Sequence, residues 1–224
     1  MQNLRRLVVL ACLAALVLSG TAMAGTLVVG APANSNNCLP FGCAYRGQYQ
    51  QVYANSLFSG PITITGLEFY NTQWDSGATA MSTGTFAISL STTTAGWNGL
   101  SATMADNIGG DNTLVFDGSL VQPWTFGDTL SIVFSTPFTY TPGTDANLLL
   151  DVVSTDMSNS DGNLFFDANG GNAFFGRTYG SGVEPGYGLV TGFSTGPIGT
   201  PEPASFALLL AGLAGLTLLR KRVS

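Results

Sequence analysis

The sequence predicts an all-β protein: an antiparallel β-sandwich with a jelly-roll-like arrangement, flanked by an N-terminal signal peptide and a C-terminal transmembrane helix. Short stretches rich in Val, Ile, Thr, Phe and Tyr follow one another, and several alternate between apolar and polar residues. Clusters of Gly, Asn, Asp, Ser and Pro separate them. Only residues 97–107 suit a short helix. Short strands without long helices between them are typical of an antiparallel sandwich.

Nine segments have the composition or alternation expected of strands. They are residues 45–53, 62–70, 85–90, 113–116, 129–134, 147–153, 163–166, 173–179 and 187–193. The run Leu148-Leu149-Leu150 has no alternation, which predicts a strand that is buried on both faces.

Residues 1–24 have the pattern of a signal peptide. Arg5 and Arg6 precede an apolar stretch at residues 7–18, and Ala22-Met23-Ala24 provides the small residues that signal peptidase requires. We expect cleavage after Ala24. The apolar run continues past Cys12, which argues against a lipoprotein site there.

The other end of the chain, residues 197–224, has the pattern of a sorting tail. Thr200-Pro201-Glu202-Pro203 is followed by an apolar run at residues 204–219 and then by Arg220-Lys221-Arg222. As a helix, the apolar run would span about 24 Å, and basic side chains that reach the lipid head groups extend such a span. The basic cluster predicts that this end stays in the cytoplasm.

Pro201-Glu202-Pro203, the apolar run and the basic end together resemble the tail of the PEP-CTERM family of bacterial exported proteins. The resemblance implies cleavage near the motif by an exosortase, in a Gram-negative bacterium that makes exopolysaccharide. It further implies an inner-membrane intermediate and then a position at the cell surface or in the extracellular matrix. An ordinary C-terminal membrane anchor is the alternative. The resemblance carries no activity for the body of the protein.

The predicted body, residues 25–196, is strongly acidic once both targeting segments are set aside. Between residues 25 and 200 only Arg46 and Arg177 are basic, against 12 acidic residues, which gives a net charge of −10. Such a surface repels phosphates, so we expect no nucleic-acid partner. The regularly spaced apolar residues predict a packed core in one domain.

Two cysteines remain in the body, Cys38 and Cys43, on either side of Leu-Pro-Phe-Gly. In an oxidising compartment a close pair of this kind predicts a disulfide. A metal site would need two further ligands, and the chain contains no histidine. We therefore expect the disulfide and no metal or cofactor.

The absence of histidine excludes the Ser-His-Asp and Cys-His arrangements of hydrolases. A pair of carboxylates, as in glycosidases, remains open, with Glu68, Asp151, Asp167 and Glu184 as candidates by residue type alone. The acidic stretch at residues 156–167 resembles a calcium loop in composition but fits the EF-hand spacing poorly. We interpret it as a turn between strands, with calcium as the alternative.

Three tryptophans, Trp74, Trp97 and Trp124, each lie near a predicted turn and are candidate glycan-binding residues. Exposed aromatic rings can stack on sugars, whereas buried ones would cap the core. The leading hypothesis is a non-enzymatic structural or adhesive component of an exopolysaccharide matrix. The alternatives are a carbohydrate-binding module and a glycan-acting hydrolase.

Overall fold

Antiparallel β-strands build the part of the chain that the structure, a computed structural model, describes: residues 25–159 and 162–196. Two 3₁₀ turns, Asn55–Leu57 and Met104–Asn107, are the helical pieces within these residues. The strands are β1 (Gly25–Val29), β2 (Ser35–Asn37), β3 (Gly47–Tyr53), β4 (Ile62–Tyr70), β5 (Thr83–Thr93), β6 (Thr113–Gly118), β7 (Thr129–Tyr140), β8 (Asn147–Ser158), β9 (Phe166–Gly170), β10 (Phe175–Tyr179), β11 (Gly182–Pro185), β12 (Tyr187–Leu189) and β13 (Thr191–Gly196).

The strands form three sheets. One has four strands in the order β1-β13-β4-β7, another has six in the order β11-β10-β3-β8-β5-β6, and a small one has three in the order β12-β9-β2. Every pairing among these described strands is antiparallel. The prediction of an all-β chain with antiparallel sheets is therefore confirmed.

The strand pairs are nested along the chain. β1 pairs with β13, β3 with β8, β4 with β7, and β5 with β6. These pairs fall alternately in the four-stranded and the six-stranded sheet. The ends of the described chain therefore meet in one sheet, while the middle of the chain forms its opposite edge.

One main hydrophobic core joins the four-stranded and six-stranded sheets in a sandwich-like packing. It contains Leu67 and Phe69 of β4 together with Phe86 and Ile88 of β5, all completely buried. In β7, alternate side chains enter this core and the remaining ones face solvent. This period of two is what a half-buried strand requires.

β8 is buried on both faces, as its unbroken leucine run predicts. Leu148 and Leu150 enter the main core, whereas Leu149 packs with Val52 and Leu100 in a second cluster. Leu100 lies in the β5–β6 connection, so this connection covers part of the outer face of the six-stranded sheet. Within it, the short helix expected at residues 97–107 is limited to the 3₁₀ turn Met104–Asn107.

Two predicted strands differ from the observed ones in arrangement, and most of the others differ only at their ends. The segment 187–193 contains β12 and β13, which belong to different sheets, with Val190 between them. Val190 donates its N–H to the carbonyl of Asp167 (2.9 Å) at the point where the chain changes sheet. The strand expected at 163–166 begins only at Phe166, because the N–H of Leu164 donates to the carbonyl of Gly42 (2.9 Å) instead. β1, β2 and β11 were not predicted.

The predicted disulfide between Cys38 and Cys43 is present. It closes a loop whose tip, Phe41, is completely buried. The Phe41 ring centre lies 4.8 Å from that of Phe69 in the four-stranded sheet, 5.4 Å from that of Phe86 in the six-stranded sheet and 6.1 Å from that of Phe166 in the small sheet. One loop side chain therefore contacts a ring from each of the three sheets.

Within residues 25–159 and 162–196, no helix has the length and apolar character needed to cross a membrane. The predicted signal peptide (1–24) and the tail with its transmembrane helix (197–224) lie outside the described residues. Both remain predictions.

Replacing Phe41 by Ala should destabilise the fold strongly. Removing a completely buried phenylalanine costs about 3–5 kcal/mol of unfolding free energy, because burial is lost and a cavity remains. Phe126→Ala is the matched control, since Phe126 is 46% exposed. Urea titration should give a large loss for the first variant and a small one for the second. Equal losses would contradict the role given to Phe41.

Candidate functional site

Trp74 is the most exposed of the three candidate tryptophans, with 52% of its surface accessible. It lies in the connection between β4 and β5, and its ring meets that of Phe165 at 72°, with the ring centres 6.4 Å apart. An exposed indole is an apolar surface that folding leaves in water, which makes it a candidate binding surface.

The loop that carries Trp74 is held by Asp167 of β9, a carboxylate that is only 5% exposed. Its Oδ1 accepts the backbone N–H groups of Thr72 (2.8 Å) and Gln73 (3.0 Å). Its Oδ2 accepts the hydroxyl of Thr72 (2.6 Å). Hydrogen bonds to a charged group are stronger than neutral ones, so Asp167 orders the residues immediately before Trp74.

Asn71 joins the same loop to the core. Its side-chain N–H₂ donates to the carbonyls of Trp74 (2.9 Å) and Phe165 (2.6 Å). Its side-chain oxygen accepts the indole N–H of Trp124 (3.1 Å). These hydrogen bonds hold the backbone of Thr72 and Gln73 and the carbonyl of Trp74 itself, so the indole is displayed on an ordered segment of the loop.

The other two tryptophans lie in different environments. Trp124 is 4% exposed and packs against Phe166, with ring centres 5.6 Å apart, so its ring belongs to the core. Trp97 is half-buried, and its carbonyl approaches Gly176 of β10 so closely that an added Cβ there would lie 2.1 Å away. The contacts therefore link Trp74 to Trp124 through Asn71 and place Trp97 against β10.

The four candidate carboxylates lie on four different strands and have separate partners. Glu68 of β4 accepts the hydroxyls of Thr26 (3.0 Å), Tyr70 (3.0 Å) and Ser194 (3.1 Å). Burial, followed by the hydrogen bond to Glu68, raises the pKa of the Tyr70 hydroxyl above its ordinary value. Asp167 serves the Trp74 loop as described.

Asp151 of β8 is 6% exposed and accepts a hydrogen bond from the side-chain amide of Gln48 (2.8 Å). Burial raises the pKa of its carboxyl, and the amides of Gln48 and Gln50 oppose that rise. A buried carboxylate with a raised pKa is a typical feature of functional sites and of polar contacts within a core alike.

The sequence does not predict a cluster of side chains that the structure places around Arg177. Arg177 of β10 is 6% exposed and lies directly opposite Glu184 of β11. Its Nε and Nη2 donate to Oε2 of Glu184 at 2.9 and 2.7 Å. The guanidinium carbon lies 4.2 Å from the ring centre of Tyr187 and 5.0 Å from that of Tyr179. Cation–π contacts and a charge pair thus stabilise a buried arginine.

The Arg177 cluster joins the six-stranded sheet to the small sheet, since Tyr187 belongs to β12. The side chain of Gln51 makes the same connection: its N–H₂ donates to the carbonyl of Leu189 (3.0 Å), and its oxygen accepts the N–H of Leu189 (2.8 Å). The sequence alone does not predict the pairing of Arg177 with Glu184, because this pairing depends on the register between β10 and β11.

In the part of the chain that the structure describes, no three His, Cys, Asp or Glu side chains are grouped so that they could hold a metal ion. Residues 160 and 161, within the stretch considered for calcium, lie outside this part, and so does the sorting motif with Pro201, Glu202, Pro203 and residues 220–222. These predictions stay as they are.

Comparison of the chain with models of known protein families, with curated proteins and with solved structures finds no match.

Replacing Asp151 by Asn should stabilise the protein at neutral pH. The folded pKa of Asp151 is raised, so the stability linked to its neutral form is complete below the ordinary carboxyl pKa and is lost as pH rises through the folded value. The amide keeps an acceptor for Gln48 and removes the buried charge. Melting temperatures should therefore differ most at pH 7 and converge towards pH 3. The exposed Asp117→Asn is the control, and a variant less stable at pH 7 would contradict the argument.

Proposed function

We propose that this chain is an exported cell-surface or extracellular-matrix protein, with a non-enzymatic structural or adhesive role associated with exopolysaccharide. The proposal is supported by the signal-peptide pattern of residues 1–24 and by the sorting tail at residues 197–224. Its processing partners would be signal peptidase and an exosortase. Residues 204–219 would hold it in the inner membrane before cleavage. The Cys38–Cys43 disulfide suits an oxidising compartment outside the cytoplasm.

The observation that carries an adhesive role is the display of Trp74. Its indole is half-exposed, while three hydrogen bonds to Asp167 and two from Asn71 order the residues around it. A ring fixed before binding loses little conformational entropy when a ligand stacks on it. This observation favours the second candidate function, a carbohydrate-binding module, in which adhesion would occur through binding of a glycan.

The charge of the domain favours a neutral glycan. The described cations are Arg46, which donates to the carbonyl of Met157, and Arg177, which pairs with Glu184. The next residue after Trp74 is Asp75, and the whole body carries a net charge of −10. Uronate or phosphate groups on a polysaccharide would be repelled by this surface.

A hydrolase is the candidate that the described carboxylates favour least. Glu184 forms an ion pair with Arg177, and Asp167 uses both oxygens to hold the Trp74 loop. A retaining or inverting glycosidase needs two carboxyl groups that face one glycosidic bond. We therefore propose no catalytic residues.

We also propose that the sandwich is a jelly roll. The nested pairs β1·β13, β3·β8, β4·β7 and β5·β6 describe one long antiparallel hairpin. The cross pairs β13·β4 and β5·β8 roll this hairpin into two sheets. Eight strands in two sheets with this wrapping support the jelly-roll arrangement.

Replacing Trp74 by Ala should weaken binding to a neutral polysaccharide by about ten-fold or more, since each factor of ten corresponds to ~1.4 kcal/mol of lost contact. A glycan array followed by titration with the best ligand would measure this. Phe126→Ala removes another half-exposed aromatic ring and should have little effect. If both variants bind like the unaltered protein, the Trp74 site is wrong. If no glycan binds at all, the carbohydrate-binding role fails and the structural role stands alone.

Intact-mass spectrometry tests the sorting proposal. In a host that carries an exosortase, the exported protein should begin at Gly25 and end close to Pro203, because both targeting segments are removed. Changing Pro201 and Pro203 to Ala should leave the tail attached. A mature protein that keeps residues 204–224 would refute processing, although not membrane anchoring.

A further inference from the structure

The outer edges of the two large sheets leave an uncharged groove at one side of the sandwich. β7 ends the four-stranded sheet and β6 ends the six-stranded sheet. Between them lies a cavity of about 320 Å³, here called the β6–β7 groove, lined by Phe116 and residues 119–122 on one side and 130–133 on the other. Val133 and Val121 in its walls are 78% and 53% exposed.

One wall of this groove is the edge of β7, which ends the four-stranded sheet. β7 pairs with β4 on one side and has no strand partner on the other among the described residues. Natural edge strands are usually protected against pairing by charged residues or proline. Residues 129–136 contain neither, and Pro137 comes only afterwards. Ser135 donates its hydroxyl to the carbonyl of Val115 (3.1 Å), which closes the groove beyond residue 134.

The lining and its surroundings define the partner that would fit. The lining residues are apolar or carry neutral hydroxyl and amide groups, and none of them is charged. Two exposed acidic residues adjoin them along the chain: Asp117 follows Phe116, and Asp128 lies two positions before Leu130. An extended segment with an uncharged centre and basic residues at its ends would therefore match the groove in shape and charge.

A second copy of the chain fits this description poorly. Its body has no lysine, and its two arginines already donate to Met157 and Glu184. Two bodies of net charge −10 would also repel each other.

We propose that the β6–β7 groove is a peptide-docking site, in which an extended segment of another protein, uncharged in its centre and basic at its ends, adds to β7 as a fifth strand. Backbone hydrogen bonds to β7 would supply affinity, and the apolar wall at Phe116 and Leu120 would receive alternate side chains. This inference is independent of the glycan site at Trp74.

Fluorescence anisotropy with labelled peptides tests the proposal on the full chain in neutral detergent. The peptide KKTVTVTKK should bind at least about ten-fold tighter than EETVTVTEE, a difference of ~1.4 kcal/mol. The difference should shrink in high salt because the flanking attraction is screened. KKTVTPTKK has one backbone N–H fewer and should bind more weakly than KKTVTVTKK. Equal binding by the first two peptides, or by the first and the third, would overturn the proposal.

A matched pair of variants locates the site. Val133→Arg places a long cation in the groove and should weaken KKTVTVTKK about ten-fold. Val28→Arg adds the same charge at an exposed valine of β1, the opposite edge of the same sheet, and should leave binding unchanged. Equal effects of the two changes would refute the location. If sedimentation velocity shows a dimer that Val133→Arg dissociates, a second copy occupies the groove and the choice of partner is wrong.

Discussion

The packing of Phe41 is the contact on which the rest of the structure depends. Its ring lies within 4.8 to 6.1 Å of Phe69, Phe86 and Phe166, one from each sheet. Phe41 belongs to no strand, so its position is set by the disulfide between Cys38 and Cys43 and by the N–H of Gly42, which donates to the carbonyl of Cys38. A small covalent loop thus supplies the side chain around which three sheets meet. The rings of Phe41 and Phe166 meet edge to face, at 83°, and this geometry adds a specific contact to the burial of apolar surface.

The candidate surface is a consequence of that packing. Phe166, which Phe41 contacts, is followed by Asp167, and Asp167 binds the loop that carries Trp74. Trp124 belongs to the same region, since its ring packs on Phe166 and its indole N–H donates to the side-chain oxygen of Asn71. The buried side chains of Asp167 and Asn71 therefore connect the core to the loop that displays the indole of Trp74. Burying a polar side chain costs free energy unless its hydrogen bonds are satisfied. Here the hydrogen bonds that satisfy Asp167 and Asn71 also position the loop of the exposed ring.

The distribution of charge distinguishes a mostly acidic outer surface from two uncharged regions. The buried Arg177 of the six-stranded sheet faces Tyr187 of the small sheet, and Glu184, Tyr179 and Tyr187 compensate for part of its lost hydration, while its Nη1 has no hydrogen-bond partner among the described residues. Most remaining charges are carboxylates, so the outer surface is negative. Against this background, the ring of Trp74 and the uncharged β6–β7 groove are two regions where apolar groups remain accessible. Exposed apolar regions of this kind are candidate binding surfaces.

Local pattern was sufficient for much of the fold. The strand Ile62–Tyr70 was predicted with its observed bounds, and the two buried faces of β8 followed from its leucine run. The disulfide followed from the spacing of its cysteines. Short strands such as β2 and β11 were missed, because three or four residues hold too little periodicity. The sequence alone determined composition and charge, and its short-range patterns predicted the all-β class that the described residues confirm. The signal-peptide and sorting-tail patterns stay predictions. Only the tertiary structure decided which tryptophan is exposed, that Arg177 faces Glu184, and that β6 and β7 are the terminal strands of their sheets. Those features depend on sheet order and register, and contacts between residues far apart in the chain determine both.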